Sequence, residues 1–130
     1  MNWPIGNGDS FRGFVDRQNK QVHLFSKGHR AGKATEEVID LNDERLSHMI
    51  TPELYAKLLE EIQLVDALYP AVNSSRIAAG QQNPVFFGSA VTNFGVEFLL
   101  QSFLQLSCQP GAKELNNGAL LPPEHPEFVG

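Results

Sequence analysis

Cysteine is almost missing from this chain. Cys108 is the only one in 130 residues, which excludes an internal disulfide and a thiolate zinc site and fits a reducing compartment. Basic residues are also scarce. Ten Lys and Arg stand against fifteen Asp and Glu, a formal charge of −5, so there is no broad basic face for a phosphate backbone and the chain is a poor nucleic-acid binder by itself. No apolar run is long enough to cross a bilayer, and "MNWPIGNGDS" lacks the basic start and apolar stretch of a secretory signal. The cytoplasm is the expected location. "NSS" at 73–75 matches a glycosylation acceptor, but without a secretory signal it reads as a plain loop.

With 42% hydrophobic and 19% charged residues, the composition is ordinary for one domain with a modest core. "FRGFVDRQNKQVHLF" places apolar residues on either side of a polar turn and predicts a hairpin. "SKGHRAGKAT" reads as an exposed turn, and "EEVIDL" as a further short strand. Together these make a hairpin region over 11–40. "NDERLSHMI" is short and helical or irregular. The strongest helix signal lies at 51–69, where Thr51 is the N-cap, Pro52 takes the first helical position, and Leu54, Leu58, Ile62 and Val65 share one face. "AVNSSRIAAGQQN" holds at most one short helical turn. Residues 84–106 predict a strand at Val85, Phe86 and Phe87, a small-residue turn, and an amphipathic helix with Asn93 as N-cap and Val96, Leu99, Leu100, Phe103, Leu104 and Leu106 as its apolar set. From 108 to 130 the apolar period is lost among prolines and glycines. That stretch reads as a linker, and its "EFVG" looks like the opening of a further strand.

The strand, turn and helix at 84–106 form an α/β edge, where loops at the carboxyl ends of parallel strands collect ligands. Gly88, Ser89 and Ala90 have minimal side chains, so their backbone amides are open to a carbonyl oxygen such as that of a purine. Ordinary packing is the competing reading, since such units recur in every α/β fold. Three other motifs fail on inspection. "IGNGDS" is no phosphate loop, because Asp9 stands at the lysine position and a strand follows. Ser89 is no nucleophile elbow, because "FGSAV" lacks the second glycine. His23, His29, His48 and His125 are not at metal-ligand spacing and read as surface or turn residues. Glu53, Glu60, Glu61 and Asp66 make the outer surface of the long helix acidic, which is usually only a solvated face.

"WPIGNGDSFRGFVD", "LLEEIQLVDA" and "NPVFFGSAVTNFGVEFLLQSFLQL", in this order and spacing, resemble the release factor 3 family of bacterial translational GTPases. The resemblance implies an α/β fold: the C-terminal part of a P-loop GTPase domain, with a parallel-sheet strand, amphipathic helices and a small β-hairpin insertion. It implies that residues 1–107 are the later part of that domain and that 108–130 are a linker leading into a β-barrel. In this family the stretch matching Gly88, Ser89 and Ala90 contacts the guanine base through backbone amides. Carried over, Ser89 and Ala90 would hold the base, with Gly88 and Val91 supporting the loop. Asp9 replaces a lysine common in this turn of the family.

The family's phosphate loop, switch segments and Asn-Lys-x-Asp motif lie upstream of the matched region, and none occurs in this sequence. Met1 therefore need not be a natural start. The resemblance implies GTP or GDP as ligand, with Mg2+ held by residues outside this chain, and the ribosome and class I release factors as partners. It also implies that this segment alone does not hydrolyse GTP, because phosphoryl transfer depends on the missing parts. The alternative expectation is a catalytically inactive α/β module that binds a protein partner, such as a ribosomal stalk component, through the acidic helix face. Loss of the upstream strands would leave an apolar face uncovered, so the chain alone is expected to be aggregation-prone or loosely packed.

Overall fold

The computed structural model describes residues 1–26, 36–90, 93–108 and 110–127. Most of the expected exposed turn "SKGHRAGKAT", and Val91 of the expected loop, lie outside them. The main sheet is a four-stranded antiparallel meander in chain order: β1 (Asn2–Ile5), β2 (Gly13–Asp16), β3 (Gln21–Phe25) and β4 (Glu36–Asp40). The expected hairpin is thus half of a larger sheet. β1 was hidden by Pro4 and the glycines after it, yet β1 is an edge strand, where a missing N–H is tolerated.

Register follows from alternation. Phe14 pairs with His23 and Val15 with Val22, which in turn faces Ile39, so one sheet face carries Ile5, Val15, Val22, Leu24 and Ile39 while the other carries Phe14, His23 and Phe25. All four residues of β2 are buried. The sheet is therefore covered on both sides at its centre. Asp16 ends β2 as a turn former, accepting from the Gln18 amide at 2.9 Å and from Asn19 Nδ2 at 2.7 Å. Gly13 is required by close approach, since a Cβ there would lie 1.9 Å from the His23 carbonyl oxygen.

The first face packs on a short helix α1 (Leu46–Met49) and on α2 (Pro52–Leu68). Thr51 Oγ1 accepts from the Leu54 amide at 3.4 Å, capping α2 as the sequence predicts. Leu58, Ile62 and Val65 are buried, and Leu54 is half-buried against the same core. A polar latch ties the two layers. Arg17 donates to Asp66 at 2.9 Å and reaches the carbonyls of Val65 and Tyr69 at 3.4 and 3.3 Å, while Lys20 shares the same carboxylate.

The latch makes stability depend on pH. Burial alone would raise the Asp66 pKa, but hydrogen bonds from Lys20 and Arg17 outweigh it and hold the carboxyl below its ordinary value. A lowered folded pKa stabilises the fold above the unfolded value, and that contribution is lost as pH falls through the folded one. Asp66→Asn is expected to cost about 0.5–1 kcal/mol at pH 7, the range of a partly exposed pair. The gap between the two proteins in urea melts should close at acid pH; a gap of equal size at pH 2.5 would assign the effect to packing.

The other sheet face meets α4 (Val96–Leu106), after a five-residue helix α3 (Ser74–Ala78). Phe98 lies 5.2 Å from Phe14 and 6.1 Å from His23 between ring centroids. α4 presents Phe98, Ser102 and Leu106 inward, four residues apart. Most of the expected apolar set points elsewhere, Leu106 being the member that faces inward. Leu99, Leu100, Phe103 and Leu104 are exposed, Leu104 by 78%, because the apolar residues spread over more than half of the helix surface and the sheet touches only one stripe. Beyond it, two short strands, β5 (Lys113–Glu114) and β6 (Leu120–Leu121), pair antiparallel within the stretch expected to be linker.

Such an uncovered patch has a measurable signature. Leu100→Glu with Leu104→Glu is expected to leave the unfolding free energy within about 1 kcal/mol, as exposed substitutions do, while reducing dye binding to apolar surface and self-association in sedimentation. A loss of stability well above that value would mean that both side chains are buried.

Candidate nucleotide-base loop

The segment before α4 is where the expected base loop falls. Residues 83–88 have no regular secondary structure, and the expected strand at Val85, Phe86 and Phe87 belongs to neither sheet. A side chain takes the place of a neighbouring strand. Asn2 Oδ1 accepts the Phe87 N–H at 2.7 Å, and Asn2 Nδ2 donates to the Phe87 carbonyl at 2.8 Å. One residue before β1, the Met1 nitrogen donates to the Val85 carbonyl at 3.0 Å. The incoming stem is thus pinned to β1 through alternate residues. Trp3 adds an apolar support, its ring meeting Phe87 edge-on at 5.5 Å.

The loop itself is closed by a bridge. The Ser89 N–H donates to the Phe94 carbonyl at 2.9 Å, so the loop's six residues 89–94 begin and end on one antiparallel pair. Phe94 then anchors the outgoing stem in an aromatic cluster, 4.1 Å from Phe11 and about 6 Å from both Phe14 and Phe25. Helix α4 starts differently from the expectation. Asn93 has a left-handed φ of 56°, and the N-cap position belongs to Gly95 with φ 71° and no side-chain cap. A Cβ on Gly95 would come within 2.7 Å of the Phe87 carbonyl oxygen, so both the conformation and the space call for glycine.

The expected site residues are therefore placed as follows. Gly88 runs against Phe94, where a Cβ would approach its carbonyl to 3.1 Å. Ser89 is half-buried, and its amide is turned into the bridge rather than toward a ligand. Ala90 is exposed just beyond the bridge, and Val91 lies outside the described residues. Three residues that the sequence reading did not single out build this loop: Asn2, Phe94 and Gly95. Gly95 had a signal, since glycine two residues after an asparagine before a helix suggests a left-handed turn. Asn2 had none, lying 85 residues from its partner.

Elsewhere the described residues hold little competing chemistry. No three of His, Cys, Asp or Glu converge in the manner of a metal site, and no helix is long and apolar enough to cross a membrane, among the described residues. His23 is not the surface residue expected: it stacks on Phe14 at 4.5 Å, and its Nδ1 meets Glu36 Oε1 at 2.6 Å. Cys108 is exposed just past α4. The acidic face of α2 is also altered. Glu61 accepts from the Trp3 indole N–H at 2.9 Å and Asp66 holds the latch, which leaves Glu53 and Glu60 as the outward carboxylates.

Comparison with known proteins adds what geometry alone does not. The whole chain aligns at 42% identity with peptide chain release factor 3 of Synechococcus elongatus, and at 40% with the proteins of that name from Acaryochloris marina and Trichodesmium erythraeum. This chain is homologous to a segment of peptide chain release factor 3. It spans 23–24% of the length of these release factor 3 proteins. No family model matches the chain. The alignment covers the 88–95 loop, β1 and both long helices, so all parts that build the loop fall within the homologous stretch.

Proposed function

We propose that this chain is the base-contacting segment of a guanine-nucleotide site in a translation-termination GTPase of the release factor 3 kind. The observation that carries it is the 88–95 loop: small residues at its entry, both stems pinned, and homology to a segment of release factor 3 along the whole chain around it. Ala90 and Ser89 form the wall against the base, and Gly88 and Val91 shape it. In the longer protein, residues 85–87 extend a parallel sheet and the apolar face of α4 is covered by that sheet, which accounts for its exposure here. Residues 108–130 lead toward a following β-barrel, and the small β5–β6 ladder suits such a junction.

Catalysis belongs to groups outside this sequence. GTP hydrolysis rests on positioning and charge around the phosphates, and the phosphate loop and Mg2+ ligands come from the upstream part. The chain alone binds no phosphate and hydrolyses no GTP. In the complete protein GTP turnover on the ribosome, in the cytoplasm, drives class I release factors off. The competing reading, an inactive partner-binding module with an acidic helix face, has less support, because Glu61 and Asp66 are already engaged by Trp3 and by Arg17 and Lys20.

The test is a chimaera in which this chain replaces the matching segment of the Synechococcus elongatus release factor 3. The chimaera is expected to bind GDP, and Ala90→Pro, which removes the N–H, to weaken binding at least about tenfold, as loss of a buried hydrogen bond does. A chimaera that folds but does not bind GDP would refute the proposal.

A further inference from the structure

We propose that Asn2 is a positioning residue for the base loop, one that sets where the backbone at 88–90 stands relative to the carbonyl oxygen of a bound guanine. This rests on the guanine-site reading above. Asn2 is 1% exposed, and its side chain belongs to β1, whose backbone is locked in register with β2 opposite Asp16. From there it grips Phe87 with both amide atoms, at 2.7 and 2.8 Å. Its Nδ2 also lies against the outgoing stem, 3.6 Å from where a Cβ on Gly95 would be. One side chain thus ties the incoming end of the loop to the sheet and stands beside the outgoing end.

The chemistry demands a primary amide. Phe87 offers a donor and an acceptor to the same neighbour, and only a group with one acceptor oxygen and an N–H2 answers both. The amide orientation is fixed by the same fact, since reversal would set N–H against N–H and oxygen against oxygen. Aspartate would keep the contact to the N–H but oppose the carbonyl, and leucine would lose both. Phe87 is two residues from Ser89, so a shift of the stem carries directly into the bridge and the Ala90 amide. Hydrogen bonds weaken steeply with angle, so a displaced amide loses the base oxygen even though Asn2 never meets the nucleotide.

The experiment compares two ligands in the same release factor 3 chimaera: GDP, and the diphosphate of 2,6-diaminopurine riboside, where an amino group replaces the carbonyl oxygen. Partial unfolding weakens both equally, so their affinity ratio isolates loop placement from stability. Asn2→Asp and Asn2→Leu are each expected to lower the GDP preference about tenfold, and Asn2→Thr, which keeps part of the hydrogen bonding, about threefold. An unchanged ratio in the variants that fold, Asn2→Thr included, would overturn the role of Asn2 while leaving the guanine site standing. An unsubstituted chimaera that does not prefer GDP would overturn both.

Discussion

Gly95→Ala is expected to destabilise the chain by about 2–4 kcal/mol, combining the cost of a left-handed backbone at a residue with a Cβ with a backbone clash. The φ of 71° accounts for part of this, and the Cβ position 2.7 Å from the Phe87 carbonyl oxygen accounts for the rest. Neither can relax cheaply. The obstructing atom is main chain, and it already accepts from Asn2, so moving it breaks the stem that carries the loop. Urea denaturation reads the stability change. In the chimaera, GDP affinity should fall together with it, because the bridge between Ser89 and Phe94 closes one residue before Gly95. A cost below about 1 kcal/mol would mean that the turn adopts another conformation.

Phe14→Ala is expected to have a comparable or larger effect, about 3–5 kcal/mol, the usual range for removing a buried aromatic ring. Phe14 is 1% exposed and lies within 6 Å of the rings of His23, Phe25, Phe94 and Phe98. It joins β2 to the outgoing stem of the loop and to α4 at once. Its loss should therefore loosen α4 first, which near-ultraviolet circular dichroism would show as loss of aromatic signal with most helix retained. Phe14→Leu keeps much of the volume and should cost about half as much. Equal effects from both variants would point to ring-specific stacking as the dominant contribution.

These two positions show which parts of the fold can be read from the chain. α2 was readable because its signals are local and redundant: Thr51 caps it, Pro52 starts it, and Leu58, Ile62 and Val65 recur at helical spacing. The β2–β3 turn was readable for the same reason, with Asp16 and polar residues between alternating apolar runs. α4 shows the limit. A helix with apolar residues around most of its circumference does not declare an inward face, and the sheet chose Phe98, Ser102 and Leu106 over the leucine-rich side. The strand expected at 85–87 failed for a different reason. Its partner is a side chain far away in sequence, so no local pattern could distinguish a paired strand from an irregular segment held by Asn2.

The candidate loop divides in the same way. Small residues at Gly88, Ser89 and Ala90 were visible as a possible backbone site, and the resemblance to release factor 3 supplied the ligand. That the Ser89 amide is consumed by the bridge was not visible, because it depends on Phe94 folding back under the pull of Phe11 and Phe14. In the proposed site the base contact would therefore fall on Ala90 rather than on the Ser89 amide.

The measurement closest to the central claim is photocrosslinking of 6-thio-GDP, whose sulfur stands where the guanine carbonyl oxygen would be, to the release factor 3 chimaera, with the crosslinked peptide mapped by mass spectrometry. Attachment is expected within residues 88–91, abolished by excess GDP. Attachment confined to peptides outside this chain, with 88–91 unlabelled, would contradict it.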